Sequence, residues 1–217
     1  MLKADFHIHT ASDPMEKISH SEEELIDLAA SQGYEVLSIT NHGAVTHTEA
    51  LQDYARERNI LLLPGVEMVI EGKHVLMINA RPEHTSLRDF QDLEEAREES
   101  LLIIAPHPYF PQPQCLNGQF ERHLALFDAV EFSHYYHPWI NFNKKAVKLC
   151  RKRGIPLCGS SDTHMLRQFN TTWSLIDGDK DPLSVIQATR AGRVQVVTKP
   201  LSLLEMLIVG YGIMRIS

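Results

Sequence analysis

The sequence has fewer positively charged than negatively charged residues. The 217 residues include 21 lysines and arginines against 28 aspartates and glutamates, and the formal net charge is -7. Strong binding to a nucleic-acid duplex requires a basic surface that neutralises phosphates. We therefore expect no stable duplex binding, although a nucleotide or short oligonucleotide held through metal ions remains open.

Cysteine is also scarce. The three cysteines are Cys115, Cys150 and Cys158, an odd number without the spacing of a disulfide framework, which predicts a reducing environment. Met1 is followed within a few residues by a strand pattern and not by the layout of a signal peptide. We therefore expect a cytoplasmic protein.

Long hydrophobic runs are absent as well. The longest, "LLEMLIVGYGIM" near the C-terminus, is much shorter than the roughly 20 residues that a membrane-spanning helix needs. No membrane span is expected. There is also no linker or low-complexity segment, so we predict a single domain over residues 1–217, with 200–217 as a C-terminal segment docked on it.

What the sequence does contain is an alternation of apolar strand patterns and amphipathic helix patterns. "KADFHIHT" precedes "SEEELIDLAASQG", "EVLSITN" precedes "TEALQDYARERN", and similar pairs continue to "DPLSVIQATRAG" and "RVQVVT". This order predicts an α/β protein with a mostly parallel sheet, and the length fits about seven units. A small barrel is favoured over an open doubly wound sheet, since no glycine-rich phosphate loop follows the first strand.

Histidine, aspartate and glutamate collect at the ends of these predicted strands. In a parallel barrel the carboxyl ends of the strands meet at one mouth, where active sites are built. The residues concerned are His7, His9, His42, Glu67, His107, Glu131, His134, Asp162 and His164. We take their convergence as the main evidence for a functional site.

The spacing of these residues suits metal binding. His7 and His9 are two positions apart on a strand, so both imidazoles point to the same face. Imidazole and carboxylate ligands suit zinc, manganese or iron, and the set is too large for one tetrahedral ion. If Glu71-Gly72 is a two-residue turn, His74 lies opposite Val69 and shares the face of Glu67.

Together these motifs resemble the polymerase and histidinol phosphatase (PHP) domain family. "DFHIHT" is similar to its opening HxHT motif, "TNHG" to its T-D-H motif and "PGVE" to its G-x-E strand. "APHP" and "SSDTH" are similar to the later His-Pro and S-D-x-H motifs, and the similarity extends from Asp5 to about Lys199.

The resemblance implies a distorted (β/α)7 TIM-like barrel, two or three divalent metal ions (Zn, Mn or Fe) and phosphoesterase chemistry. Position by position, it implies one metal held by His7, His9, Glu67 and Asp162, a second by Glu67, His107 and His74, and a third by Asp13, His42 and His164. His20 is a second candidate for the place of Asp13. Asp5 is expected to support the site by a hydrogen bond.

One position departs from the family pattern. Asn41 stands where the family has an aspartate that supports the neighbouring histidine. An asparagine can accept a hydrogen bond from an imidazole N–H but adds no charge, which predicts weaker support for His42 and for the third metal.

Three residues are candidates for catalysis beyond metal binding. Arg167 follows "SSDTH" and could grip a phosphate in bidentate fashion, although a solvated loop arginine is an equal alternative. His107 or His134 could supply the proton of the leaving group, as could a metal-bound water. Glu131 remains open between a ligand, a substrate contact and a polar strand end. His47, His84, His123 and His137 are interpreted as structural.

The sequence therefore predicts a phosphoesterase that hydrolyses a small phosphate ester by a metal-activated hydroxide. A nucleotide, a sugar phosphate or a related small molecule would be the substrate, and the oligomeric state is left open. Two alternatives are an amidohydrolase, which also uses HxH in a barrel, and a barrel that binds metals or ligands without catalysis.

Overall fold

A computed structural model describes the backbone of residues 1–216 and the side chains of residues 1–212. Within this part of the chain the sheet has nine strands. They are β1 (Leu2–Asp5), β2 (Val36–Ile39), β3 (Leu61–Ile70), β4 (Lys73–Ile78), β5 (Leu102–Ala105), β6 (Ala129–Ser133), β7 (Leu157–Ser160), β8 (Thr172–Ile176) and β9 (Val194–Thr198).

The sheet forms a nearly closed barrel, as predicted. The strand order is β7-β6-β5-β4-β3-β2-β1-β8-β9, and apart from β4 and β8 the strands run in one direction. At the remaining gap, the Gly159 N–H of β7 donates to Ser174 Oγ of β8 (2.9 Å), and this hydroxyl donates to the Gly159 carbonyl (3.1 Å). The sequence pattern does not predict strand β8, because its short sequence "TWSLI" lies between a polar loop and a turn.

The helices lie around the barrel. They are α1 (Glu22–Ser31), α2 (Glu49–Glu57), α3 (Phe90–Glu95), α4 (Gly118–Arg122), α5 (Asn143–Arg153), α6 (Pro182–Arg190) and α7 (Leu203–Ile216). Ser21 caps α1 in a capping box with Glu24. Helix α3 is shorter than the pattern "SLRDFQDLEEAREES" suggests.

The barrel interior is polar at the carboxyl ends of the parallel strands and apolar toward their amino ends. Leu63, Leu76 and Ala129 are fully or almost fully buried, and the two-residue strand period places them on the faces of the polar residues Glu67, His74 and Glu131. This apolar layer supports a polar layer at the carboxyl ends of the parallel strands.

The C-terminal segment packs against the barrel through α7. Met206 and Val209 are buried, and Tyr135 Oη donates a hydrogen bond to the Met206 carbonyl (3.0 Å). Across the described residues, none of the helices combines the length and the apolar character needed to cross a membrane.

Candidate metal centre

The carboxylate of Glu67 lies at the centre of the polar layer. Its Oε2 atom is 3.2 Å from the Nε2 atoms of His7, His9 and His42. The side chain of Glu67 is 1% exposed, and such a buried carboxylate requires polar or cationic partners. The segments that follow β1 and β2 therefore bring three imidazoles onto a single carboxylate oxygen carried by β3.

The second oxygen of the same carboxylate faces two further imidazoles. Glu67 Oε1 is 2.7 Å from His74 Nδ1 and 3.7 Å from His107 Nε2. The hairpin register predicted for His74 is confirmed, because Val69 pairs with His74 and Glu67 with Leu76. The Glu67 carboxylate can thus be shared between two ligand sets.

Asp162 completes the set around the first oxygen. Its Oδ1 atom is 3.3 Å from His7 Nε2 and 3.6 Å from His9 Nε2. Asp162 has a φ of 46°, a left-handed conformation that is uncommon outside glycine. The loop after β7 holds this conformation, and it places the carboxylate beside both histidines.

Asp13 contacts the imidazoles from the other side. Its Oδ2 atom accepts hydrogen bonds from His9 Nδ1 (3.0 Å), from His42 Nδ1 (2.8 Å) and from the His42 backbone N–H (2.9 Å). Histidine ligands are commonly oriented by such an outer carboxylate. Asp13 therefore directs the Nε2 atoms of both histidines toward Glu67, and it also lies close enough to share a cation with them.

His164 lies next to these residues, and its Nδ1 is 3.4 Å from Asp162 Oδ1, but its Nε2 faces another carboxylate. Its ring centroid is 4.4 Å from that of His9, while its Nε2 is 2.9 Å from Glu16 Oε2. Glu16 is absent from the sequence prediction, and its position three residues after Asp13 is the only signal that could have indicated it. Burial raises the pKa of Glu16, but the hydrogen bond from His164 and the charges of His164, His42 and His9 together outweigh it, so the pKa is lowered.

Glu131 supports the site from behind His7. Its Oε1 atom accepts from His7 Nδ1 (3.0 Å), and its Oε2 atom accepts from the His107 backbone N–H (2.7 Å). Both oxygens are thus used to orient residues that face Glu67. The sequence leaves three roles open for Glu131. The geometry favours a different one, that of an outer carboxylate that fixes the tautomer of His7.

We expect Glu131→Gln to weaken divalent metal binding roughly 10- to 100-fold, because it removes the charged acceptor behind His7. Competition with a fluorescent chelator would measure the affinity. Glu22→Gln is the matched control, since Glu22 is also buried but accepts from Thr10 Oγ1 (2.6 Å) and contacts none of these histidines. Equal affinity of the wild type and Glu131→Gln would contradict this role.

Burial determines the charge of His134. Burial lowers the pKa of His134 to about 4, so its imidazole is neutral at pH 7. Gln168 Oε1 accepts from the backbone N–H groups of His164 and Met165, so its Nε2 is the donor, and it faces His134 Nε2 at 3.3 Å. The proton of His134 is therefore on Nδ1, which has no hydrogen-bond partner among the described residues.

The remaining predicted residues have other contacts. Arg167 is exposed, and no hydrogen bond or ion pair within residues 1–212 joins it to the polar layer. It lies instead near Glu205, whose pKa is lowered mainly by two hydrogen bonds from Ser202 and to a smaller extent by the charge of Arg167. His20 Nε2 donates to the His9 carbonyl (2.9 Å) and does not face Glu67. The predicted support by Asp5 is present, since its Oδ1 accepts from the backbone N–H groups of His7 and Ser161.

Asn41 does not take over the role of an aspartate beside the imidazole. Its Oδ1 accepts from the Thr10 backbone N–H (2.8 Å), and its Nδ2 donates to Thr10 Oγ1 and Thr46 Oγ1 (2.9 Å each). The carboxylate behind His42 is supplied by Asp13. The substitution at position 41 therefore leaves His42 with a charged partner.

The electrostatics of the layer favour bound cations. Burial lowers the pKa of His7, but the carboxylates of Asp162, Glu67 and Glu131 outweigh it and raise the pKa to about 10. Burial likewise raises the pKa of Glu67, yet the imidazoles of His74, His7 and His42 hold it well below its usual range. Glu67 is thus ionised, and without a metal His7 holds a proton in its place.

Several ligand atoms converge without satisfying one another. His9 Nε2, Glu67 Oε1 and Asp162 Oδ1 are buried and have close polar neighbours, but within the described chain none of these contacts has the geometry of a good hydrogen bond. Such atoms are costly unless a cation binds them. Four overlapping groups have ligand atoms close enough to share an ion: His7, Glu67 and His107; His7, His9 and Asp162; His9, Asp13 and His42; and His42, Glu67 and His74.

These residues fit divalent metal ions. Nitrogen and oxygen ligands in this mixture suit zinc, manganese or iron. A barrel with a shared carboxylate and several imidazoles at the carboxyl ends of its strands defines the class: an α/β barrel protein with a candidate divalent-metal centre.

Comparisons with known proteins give the family. The family model described as PHP-associated matches residues 141–194. The chain is 30% identical over 146 residues to the uncharacterized protein MJ1587 of Methanocaldococcus jannaschii, covering 63% of this chain and 84% of that protein.

Solved structures share the fold. A two-domain protein of Bacteroides vulgatus that contains a predicted PHP-like metal-dependent phosphoesterase has a TM-score of 0.71 at 18% identity, covering 97% of this chain and 69% of that chain. An amidohydrolase of Chromobacterium violaceum with bound sulfate and no metal has a TM-score of 0.55 at 13% identity. The match covers 74% of this chain and 87% of that chain. The chain belongs to the PHP family, as its motifs predict.

Proposed function

We propose that the protein is a metal-dependent phosphoesterase that hydrolyses a small phosphate ester. The observation that carries this proposal is the Glu67 carboxylate, whose two oxygens face two different sets of imidazoles. A carboxylate shared in this way can bridge two cations, and paired cations suit phosphoryl transfer. The phosphoesterase domain of the similar Bacteroides vulgatus protein supports the same chemistry.

Each ligand set is a proposal about particular residues. His7, His9, Glu67 and Asp162 would hold one ion, and Glu67, His74 and His107 a second. Asp13 and His42 would hold a third ion only if His164 joined them. Because His164 instead contacts Glu16, we favour two tightly held ions. When bound, such ions neutralise phosphate charge and lower the pKa of water.

The protein's own side chains complete the site. His134 is a neutral donor through Nδ1, so we assign it a hydrogen bond to the substrate in preference to proton delivery. His107 remains the candidate for the leaving-group proton, and Arg167 would need to swing toward the site to grip a phosphate. The buried, free cysteines fit a reducing cytoplasm.

A substrate panel tests the proposal. The chelated protein, reloaded with Mn²⁺ or Zn²⁺, should hydrolyse p-nitrophenyl phosphate or bis-p-nitrophenyl phosphate at least about 100-fold faster than p-nitroacetanilide. The release of nitrophenol or nitroaniline provides the measurement in each case. His9→Ala, loaded in the same way and shown by circular dichroism to be folded, is the control for contaminating phosphatases.

The second candidate function is that of an amidohydrolase, which is favoured by the structural similarity to the Chromobacterium violaceum protein. Against it, the shared ligand in this chain is a glutamate, and no carboxylated lysine is needed to fill that place. Faster turnover of amides than of phosphate esters in the same panel would establish this alternative.

A further inference from the structure

Helix α5 borders an open groove that lies outside the metal centre. The groove has a volume of about 450 Å³, within the range of small-molecule sites. It is lined by Phe132, Asn141, Lys144, Val147, Lys148 and Arg151. Half of these residues are cations and none is acidic, in a chain whose net charge is -7.

Within residues 1–212, the three cations of the groove have no anionic partner. Lys144, Lys148 and Arg151 are separated by four and three positions, so they share one face of α5. None of them forms an ion pair with a residue among 1–212, whereas Lys145 on another face of the helix pairs with Glu121 (2.8 Å). Three positive charges without an ion-pair partner among residues 1–212 therefore line the groove.

This arrangement reduces the stability of the helix. Lys144 lies in the first turn, where the helix dipole disfavours positive charge, and the first turn contains no acidic residue. Like charges three or four positions apart, as in Lys144 with Lys148 and Lys148 with Arg151, repel one another. A structural role alone would favour acidic residues here, and a bound anion would remove both penalties.

The floor of the groove is apolar and partly aromatic. Phe132 is half-buried, and its ring packs edge-on against Tyr136 at a centroid distance of 5.3 Å. Val147 adds an aliphatic surface. A ligand that carries phosphate charge together with a flat apolar part, such as a nucleotide, matches this combination of cations and ring.

The groove and the metal centre lie on opposite faces of β6. Glu131 points into the barrel, where it contacts His7, and Phe132 is the next residue along the strand. Successive strand residues point to opposite faces of a sheet. A ligand in the groove is therefore separated from Glu67 by the strand, and it cannot be the ester that the metal centre acts on.

We propose that this groove is a second site, which binds a phosphate-bearing ligand of nucleotide size independently of the metals. Isothermal titration calorimetry with adenosine diphosphate and with pyrophosphate would test it. The titrations use the full chain in excess EDTA, so that neither hydrolysis nor metal-bridged binding contributes. Failure of phosphoesterase activity therefore leaves the outcome of this experiment unaffected.

Two triple variants provide the decisive comparison. Lys144→Ala/Lys148→Ala/Arg151→Ala should weaken binding of both probes at least about tenfold, because charged contacts to the phosphates are lost. Lys145→Ala/Lys152→Ala/Arg153→Ala removes the same charge from the same helix outside the groove, and it should retain the wild-type affinity within about threefold. Equal losses in both variants, or no binding by the wild type, would overturn the proposal.

Two single variants separate binding from folding. Lys144→Glu should raise the melting temperature, since it places an acid in the first turn, and yet weaken both probes. Phe132→Leu should weaken adenosine diphosphate but leave pyrophosphate binding unchanged. Undiminished binding in Lys144→Glu would count against the groove even if the triple variant failed to fold.

Discussion

Glu67→Gln is expected to abolish hydrolysis, lowering kcat/KM by at least about 1000-fold, because paired cations contribute several kcal/mol to the transition state. The substitution keeps the size of the side chain but removes its charge. The two oxygens of Glu67 face five imidazoles, so this one substitution affects both proposed ligand sets directly. The rate of p-nitrophenyl phosphate hydrolysis with saturating Mn²⁺ would measure the loss.

Metal content distinguishes this explanation from general damage. Glu67→Gln should retain less metal after gel filtration than the wild type, as measured by plasma emission spectrometry. His20→Gln is the matched control, because His20 is also buried but its Nε2 donates to the His9 carbonyl and does not face Glu67. Wild-type turnover in Glu67→Gln would refute the shared-carboxylate site.

The sequence predicts well which side chains face Glu67, because alternating residues of an extended segment point in the same direction. His7 and His9 share a strand face, and His74 follows from one hairpin register, so local rules are sufficient for all three. The barrel follows for a similar reason: alternating strands and helices leave few ways to bury both faces of the sheet.

The outer contacts could not be predicted in this way. Glu16, Gln168 and Asp13 lie in loops, whose paths depend on tertiary contacts and have no period. Asn41 shows the difficulty most clearly. The family pattern indicates weakened support for His42. In the structure, however, Asp13 Oδ2 lies 2.8 Å from His42 Nδ1. Asn41 is the sequence feature that favours a non-catalytic barrel, and this contact removes the reason for that interpretation.

The same contacts predict how stability depends on pH once the metal is removed. In the chelated protein, the pKa of His7 is raised to about 10 by its three carboxylate neighbours, although burial opposes them. The unfolded value is about 6.5. Protonation of His7 therefore stabilises the fold fully below pH 6.5, and this stabilisation is lost as the pH rises toward 10.

Between pH 6.5 and 9, the chelated protein should lose roughly 3 kcal/mol from His7 alone, which lowers the melting temperature by roughly 6–12 °C for a chain of this size. The metal-loaded protein should show the opposite trend, because cations bind deprotonated imidazoles and binding strengthens as protons leave. The gap between the two melting temperatures should thus widen with pH.

Differential scanning calorimetry at pH 6.5, 7.5, 8.5 and 9, with EDTA or with Mn²⁺, would measure both curves. His7→Gln should flatten the decline of the chelated protein, since it removes the titrating group, whereas His137→Gln should leave the decline intact because His137 contacts the Trp139 backbone, away from the carboxylates. A chelated protein whose melting temperature rises over this range would show that protons do not occupy the place of the metal. The charge balance around Glu67 would then need a different explanation.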